Sequence, residues 1–181
     1  LLGARNVMIR FHITAEGAVQ AELSGGFQSL GDGSTKLTAA GAFAGEEVDL
    51  LLISDGQTFE YGRESDRTRA PQPEHLREAL LLGFTRMGFL HNLARLVGNA
   101  APDGADGGVR EWVEVGAFQL ESGEEGSRRV SFAMTVGGEP AGSATLEIGA
   151  EGHPVIRRQT VRFPSGEMRV VERYEAVAIT P

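Results

Sequence analysis

Val48-Asp49-Leu50-Leu51-Leu52-Ile53-Ser54-Asp55-Gly56-Gln57-Thr58-Phe59-Glu60-Tyr61 decides the fold. An apolar run, a Ser-Asp-Gly turn and a second run with alternating aromatics read as a β-hairpin, because Asp-Gly supplies the backbone freedom a tight reversal needs. The same rhythm continues toward the N-terminus. Ile9, Phe11 and Ile13 point one way, while Arg10, His12 and Thr14 point the other. After a Glu16-Gly17 turn, Val19, Ala21 and Leu23 alternate with Gln20 and Glu22, and residues 36–43 follow the turn at Gly31-Asp32-Gly33-Ser34. Strands at intervals of about a dozen residues describe an antiparallel meander over residues 6–61.

Beyond it the pattern breaks. Residues 62–72 are charged and do not alternate (Arg63, Glu64, Asp66, Arg67 and Arg69), which reads as a surface loop. Pro73 opens a helix at its preferred early position. Leu76, Leu80, Phe84, Met87, Leu90, Ala94 and Val97 recur every three or four residues as one face, and Leu81, Leu82, Phe89, Leu93 and Leu96 widen it. Glu78, Thr85, Asn92 and several arginines mark its wet side. Gly98-Asn99 and Pro102 end it, and Gly83 and Gly88 kink it or divide it in two. After a Gly/Asp loop at 103–108, period two returns at 109–120, 130–136, 143–148, 155–163 and 168–178. In these strands Arg157, Arg158, Arg169 and Arg173 read as solvated charge, and Glu111, Glu114, Glu167 and Glu172 as facing water.

The expected fold is therefore α+β and mainly antiparallel β: a strongly curved open sheet, a half-barrel, covered by a long apolar helix or helix pair. One domain is expected across 1–181, with strands at 6–61, a lid loop and helix at 62–108, and strands at 109–179. The totals agree. A chain of 181 residues with 41% apolar and 23% charged residues is an ordinary globular composition, and 25 Gly against 7 Pro suits many hairpins. The net charge of -8 argues against a polyanionic partner such as nucleic acid. The absence of cysteine excludes disulfides, thiolate metal sites and a thiol nucleophile. Leu rather than Met at position 1 fits a removed signal peptide or a trimmed boundary. The longest apolar run, at 79–84, is far shorter than the ~20 residues a bilayer crossing needs, so a soluble chain is expected.

Little of this points to catalysis. His12, His75, His91 and His153 lie in four different elements, none at i, i+4 spacing, so no metal and no cofactor are expected. Ser54-Asp55-Gly56 joins two strands, whereas a nucleophile elbow joins a strand to a helix. Gly31-Asp32-Gly33 lacks the following helix of a dinucleotide fingerprint. Asp103-Gly104-Ala105-Asp106 lacks the full cation loop. His91 is the polar residue to follow, with Arg86 and Arg95 on the same helix. The wide apolar face must be covered by the sheet, a partner or a ligand, and the pattern leaves core packing and an apolar cavity both open.

The order of elements resembles the LolA family of bacterial lipoprotein carriers. The resemblance rests on the strand-turn-strand at 50–61, the apolar helix after it, and late strands around Gly152-His153-Pro154-Val155 with a charged closing strand. The family's amphipathic N-terminal helix, expected before the first strand, is missing or cut away at Leu1, and Arg86-Met87-Gly88-Phe89-Leu90-His91-Asn92-Leu93 matches no signature of the family. The resemblance implies a non-catalytic, cell-envelope or periplasmic carrier of an acyl chain, lipoprotein or other apolar ligand, with a transient membrane-protein partner compatible with that role. The lining expected for its cavity is Phe11, Ile13, Leu23, Phe27, Leu50, Leu52, Leu80, Phe84, Met87 and Leu90, with Arg86, His91 and Arg95 at the mouth. Two alternatives stand beside it: a small enzyme using His91, and a structural domain docking a partner through residues 62–72 and the helix.

Overall fold

The computed structural model describes residues 3–108 and 111–180. Eleven strands form one antiparallel sheet, in the order β6-β5-β4-β3-β2-β1-β11-β10-β9-β8-β7. The first meander is β1 (Asn6–Gly17), β2 (Ala21–Ser29), β3 (Thr35–Phe43), β4 (Glu46–Ser54), β5 (Thr58–Arg63) and β6 (Asp66–Pro71). Two helices follow, α1 (Leu76–Met87) and α2 (Phe89–Val97). The second meander is β7 (Val113–Ser122), β8 (Arg128–Val136), β9 (Glu139–Ile148), β10 (Pro154–Phe163) and β11 (Gly166–Thr180). The two meanders join where β1 pairs with β11, so the outer edges are β6 and β7. The sheet is open and curved, and the helices cover its inner face, which is the expected fold class.

The hairpin at residues 48–61 forms as β4–β5, with Leu52 opposite Tyr61 and Ser54 opposite Phe59. Its turn is held by the Asp55 carboxylate, whose Oδ1 accepts N–H bonds from Gln57 at 2.9 Å and Thr58 at 2.8 Å. Those bonds to the charged form, Thr58 first, draw Asp55 below its ordinary value.

Parity carries the core. Val7, Ile9, Phe11, Ile13 and Ala15 all face inward from β1 and are buried. They meet Leu23 and Phe27 of β2, Leu37 of β3, Leu50 and Leu52 of β4, and the apolar faces of α1 and α2 in one cluster. At its centre Phe89 stacks on Phe11 at 4.5 Å and on Phe84 at 4.3 Å, and meets Tyr174 edge-on at 6.3 Å.

Three expectations are corrected. Residues 62–72 are largely strand: β5 runs to Arg63, and β6 pairs with it, Tyr61 opposite Thr68. Its side chains alternate between exposed and half-buried at an edge, so no apolar periodicity marks it. The helix begins at Leu76, because 73–75 form a turn with the Leu76 N–H bonded to the Pro73 carbonyl. Asn92 belongs to the dry side: it is 2% exposed and donates to the Leu80 carbonyl at 3.3 Å, tying α2 to α1. That approach needs Gly83, where a Cβ would come within 2.7 Å of Asn92 Oδ1. Of the strand expected at 109–120, residues 109 and 110 lie outside the described residues, and β7 starts at Val113.

Candidate ligand-binding cleft

The break between α1 and α2 sets the geometry of the site. Gly88 has φ 84°, which ends α1 and redirects the chain. Two strand residues hold the break. Arg157 of β10 donates to the last carbonyls of α1, to Thr85 O at 3.0 Å and Arg86 O at 2.6 Å. Glu172 of β11 accepts from the first amides of α2, Phe89 N–H at 3.0 Å and Leu90 N–H at 2.9 Å. A cation thus meets the negative end of one helix and an anion the positive end of the next. Arg157 and Glu172 are register partners on adjacent strands.

This corrects the reading of both as solvated. Arg157 is 1% exposed and Glu172 is fully buried. Burial pulls the Arg157 guanidinium down from its usual value, opposed by the charge of Glu172. Tyr174 donates its hydroxyl to Glu172 Oε2 at 2.8 Å. Burial first, then the Glu172 charge, pushes that phenol well above its ordinary range, so it remains a donor.

Beside this clamp lies a cleft of ≈ 580 Å³. It sits at the end of the sheet where the β1–β2, β3–β4, β8–β9 and β10–β11 turns gather. Its roof is Met87, Leu90, His91 and Ala94; its floor and walls include Val19, Phe43, Gln159, Val161, Phe163 and Met168. The size falls in the roughly 300–1,000 Å³ range of sites that hold one small ligand. The lining is mostly apolar, with Trp112, Asp103 and Arg162 completing it.

At the rim, His91 Nε2 lies 2.9 Å from Asp103 Oδ2, and Arg95 approaches Asp103 Oδ1 at 3.4 Å. The imidazole stacks on the Trp112 ring at 4.8 Å. The His91 hydrogen bond, more than its charge or that of Arg95, holds the Asp103 carboxyl below its ordinary value against the opposing effect of burial. A depressed carboxylate stabilises the fold above its unfolded value of about 3.9 and loses that contribution as pH falls through the lower folded value. Asp103→Asn should therefore be less stable than the parent at pH 6, by less than about 1 kcal/mol because the pair is part-exposed. The gap should close below about pH 4. Urea unfolding midpoints of both proteins between pH 2 and 7 check this.

The residues expected to line a cavity divide. Met87 and Leu90 line the cleft, and His91 stands at its rim. Phe11, Ile13, Leu23, Phe27, Leu50, Leu52, Leu80 and Phe84 pack together in the main cluster, away from the cleft lining. Arg86 donates to the Val113 carbonyl at 2.5 Å, and Arg95 to the Ala101 carbonyl at 3.1 Å as well as pairing with Asp103. Sequence reasoning missed Val19, Phe43, Trp112, Val161 and Phe163. Their signal was a bulky apolar residue at or near a turn, where a solvated turn needs none.

No helix among the described residues is long and apolar enough to cross a membrane. No family model matches the chain, and no curated protein does. Among solved structures the chain is similar to LprF from Mycobacterium bovis, at 11% identity and a TM-score of 0.41 over 99% of this chain and 89% of that one. It is similar to a LolA superfamily protein from Nitrosomonas europaea, at 10% identity and a TM-score of 0.34 over 98% and 86%. A third is a putative outer membrane lipoprotein-sorting protein domain from Vibrio parahaemolyticus, at 5% identity and a TM-score of 0.32 over 96% and 85%. Two of the three carry LolA or lipoprotein sorting in their names, the resemblance already met at residues 50–61. At TM-scores below 0.5 they add nothing to the reading of the site, which rests on the residues above.

Proposed function

We propose that this chain is a non-catalytic, carrier-like binder of an acyl chain, a lipoprotein acyl group or another apolar molecule, working in the cell envelope. The observation that supports it is the mostly apolar cleft of ≈ 580 Å³ under α2, open to solvent and left unfilled by the side chains of the described residues. Affinity would come from burying apolar ligand surface, at roughly 25 cal/mol per Å² removed from water. The envelope location rests on the sequence resemblance alone. The cleft has an addressable wall, since Ala94 is exposed on α2 and touches the cleft rather than the core. Ala94→Trp should obstruct it and weaken uptake of a fluorescent fatty acid more than about tenfold, with unfolding nearly unchanged, as surface substitutions usually leave it. Equal uptake by parent and variant, or none by the parent, would count against the reading.

One observation favours a second reading. The His91–Asp103 pair gives the imidazole the carboxylate partner that general-base work requires. Hydrolysis of a short nitrophenyl ester that disappears in His91→Ala would support an enzyme, and absence of turnover in the parent would reject it.

A further inference from the structure

Gln159 is 6% exposed and sits in the cleft wall. Its Oε1 accepts from Arg157 Nε at 2.7 Å. A guanidinium only donates, so the amide cannot be turned over: the oxygen faces Arg157 and the NH2 faces away. Among the described residues nothing accepts from that NH2. The sole sealed side-chain polar atom without a partner among them is Trp112 Nε1, so the Gln159 NH2 touches open volume, and the volume it borders is the cleft. Trp112 belongs to the same wall. The carboxylate acceptors of that wall are already taken, Asp103 Oδ2 by His91 and Oδ1 by Arg95. Arg162 is exposed at the rim with no ion pair among the described residues. The cleft therefore presents a fixed donor and a cation to its occupant while keeping its acceptors engaged.

We infer that the occupant is an acyl compound whose carbonyl oxygen accepts from Gln159 Nε2–H while its chain lies along Met87, Leu90 and Val161. The inference rests on the apolar-cargo reading and adds the head chemistry to it. A plain hydrocarbon of equal length leaves the buried donor unpaired, which a site built around a donor penalises. Arg157 makes the preference rigid, because turning the amide would set its NH2 against the guanidinium.

The test is displacement of bound N-phenyl-1-naphthylamine by methyl decanoate, decanoate and undecane. The ester should bind about tenfold more tightly than undecane, the difference one hydrogen bond supplies, and Gln159→Leu should abolish that preference while undecane still binds. Decanoate that binds more tightly than the ester, and loses the excess in Arg162→Ala, assigns the carbonyl to a free acid; equal or tighter ester binding assigns it to a lipid ester. Either result supports the inference. Undecane and ester bound equally by the parent overturn it and leave the cargo reading standing. Failure of every compound to displace the probe overturns both. Should Gln159→Leu disturb Arg157, the parent alone suffices: the Gln159 side-chain amide resonance should shift with methyl decanoate and stay still with undecane, and the reverse overturns the assignment.

Discussion

Arg157→Met should lower the unfolding free energy by about 3–5 kcal/mol, measured by urea denaturation at pH 7. Met replaces the aliphatic stem of the side chain, so the larger part of the loss does not come from lost stem packing. It comes from what is left behind. Glu172 stays buried without its cross-strand cation, and the Thr85 and Arg86 carbonyls lose their donor at the end of α1. Removing the second charge as well, in Arg157→Met with Glu172→Gln, should recover part of the loss, because an unpaired buried charge costs more than an absent pair. A single-variant loss below about 1 kcal/mol would mean that the pair does not hold the helix break.

Phe89→Ala should cost a similar amount, about 3–5 kcal/mol, by opening a cavity at the centre of the main cluster. Phe89 is fully buried between two rings, Phe11 on the sheet and Phe84 on α1, so neither wall can collapse easily into the gap. Phe89→Met should lose less, since an adaptable thioether refills part of the volume. The position also supplies one of the two amides that Glu172 accepts. Combining Phe89→Ala with Arg157→Met should therefore depart from additivity, and a double-mutant cycle on the same urea curves measures by how much.

The strands were legible because a strand buried on one face writes its parity into the sequence. Ile9, Phe11 and Ile13 gave both the element and its inward side. The edge strand β6 was not, since Arg67 and Arg69 alternate with Thr68 and Ala70 and neither face is dry. Arg157 and Glu172 are hidden for a different reason: their residue type argues for solvent while their strand parity argues for the core. Arg157 shares a face with Gln159 and Val161, and Glu172 with Met168, Val170 and Tyr174, all of which are buried. Counting in twos from Val161 or Val170 would have placed both charges inside. The apolar surplus on the helix demands cover, and the sheet and the two helices meet most of that demand themselves. What remains open lies at the ends of the hairpins, where turn residues line it, and a mid-strand pattern has nothing to say about turns. The Gly88 break is legible in the sequence, whereas the two charges that hold it, Arg157 and Glu172, come from strands far along the chain from the helices.

The seam between β1 and β11 joins the first and the last of the described strands. During synthesis, the first meander must wait with β1 unzipped along one side until β11 has left the ribosome. Closing so long a stretch of chain makes assembly slow, and in the interval an exposed backbone edge invites pairing with a neighbouring nascent molecule. A version in which Thr180 is linked to Asn6, its register partner, and the chain is reopened at an outlying turn would form that contact locally and should reach its native shape sooner.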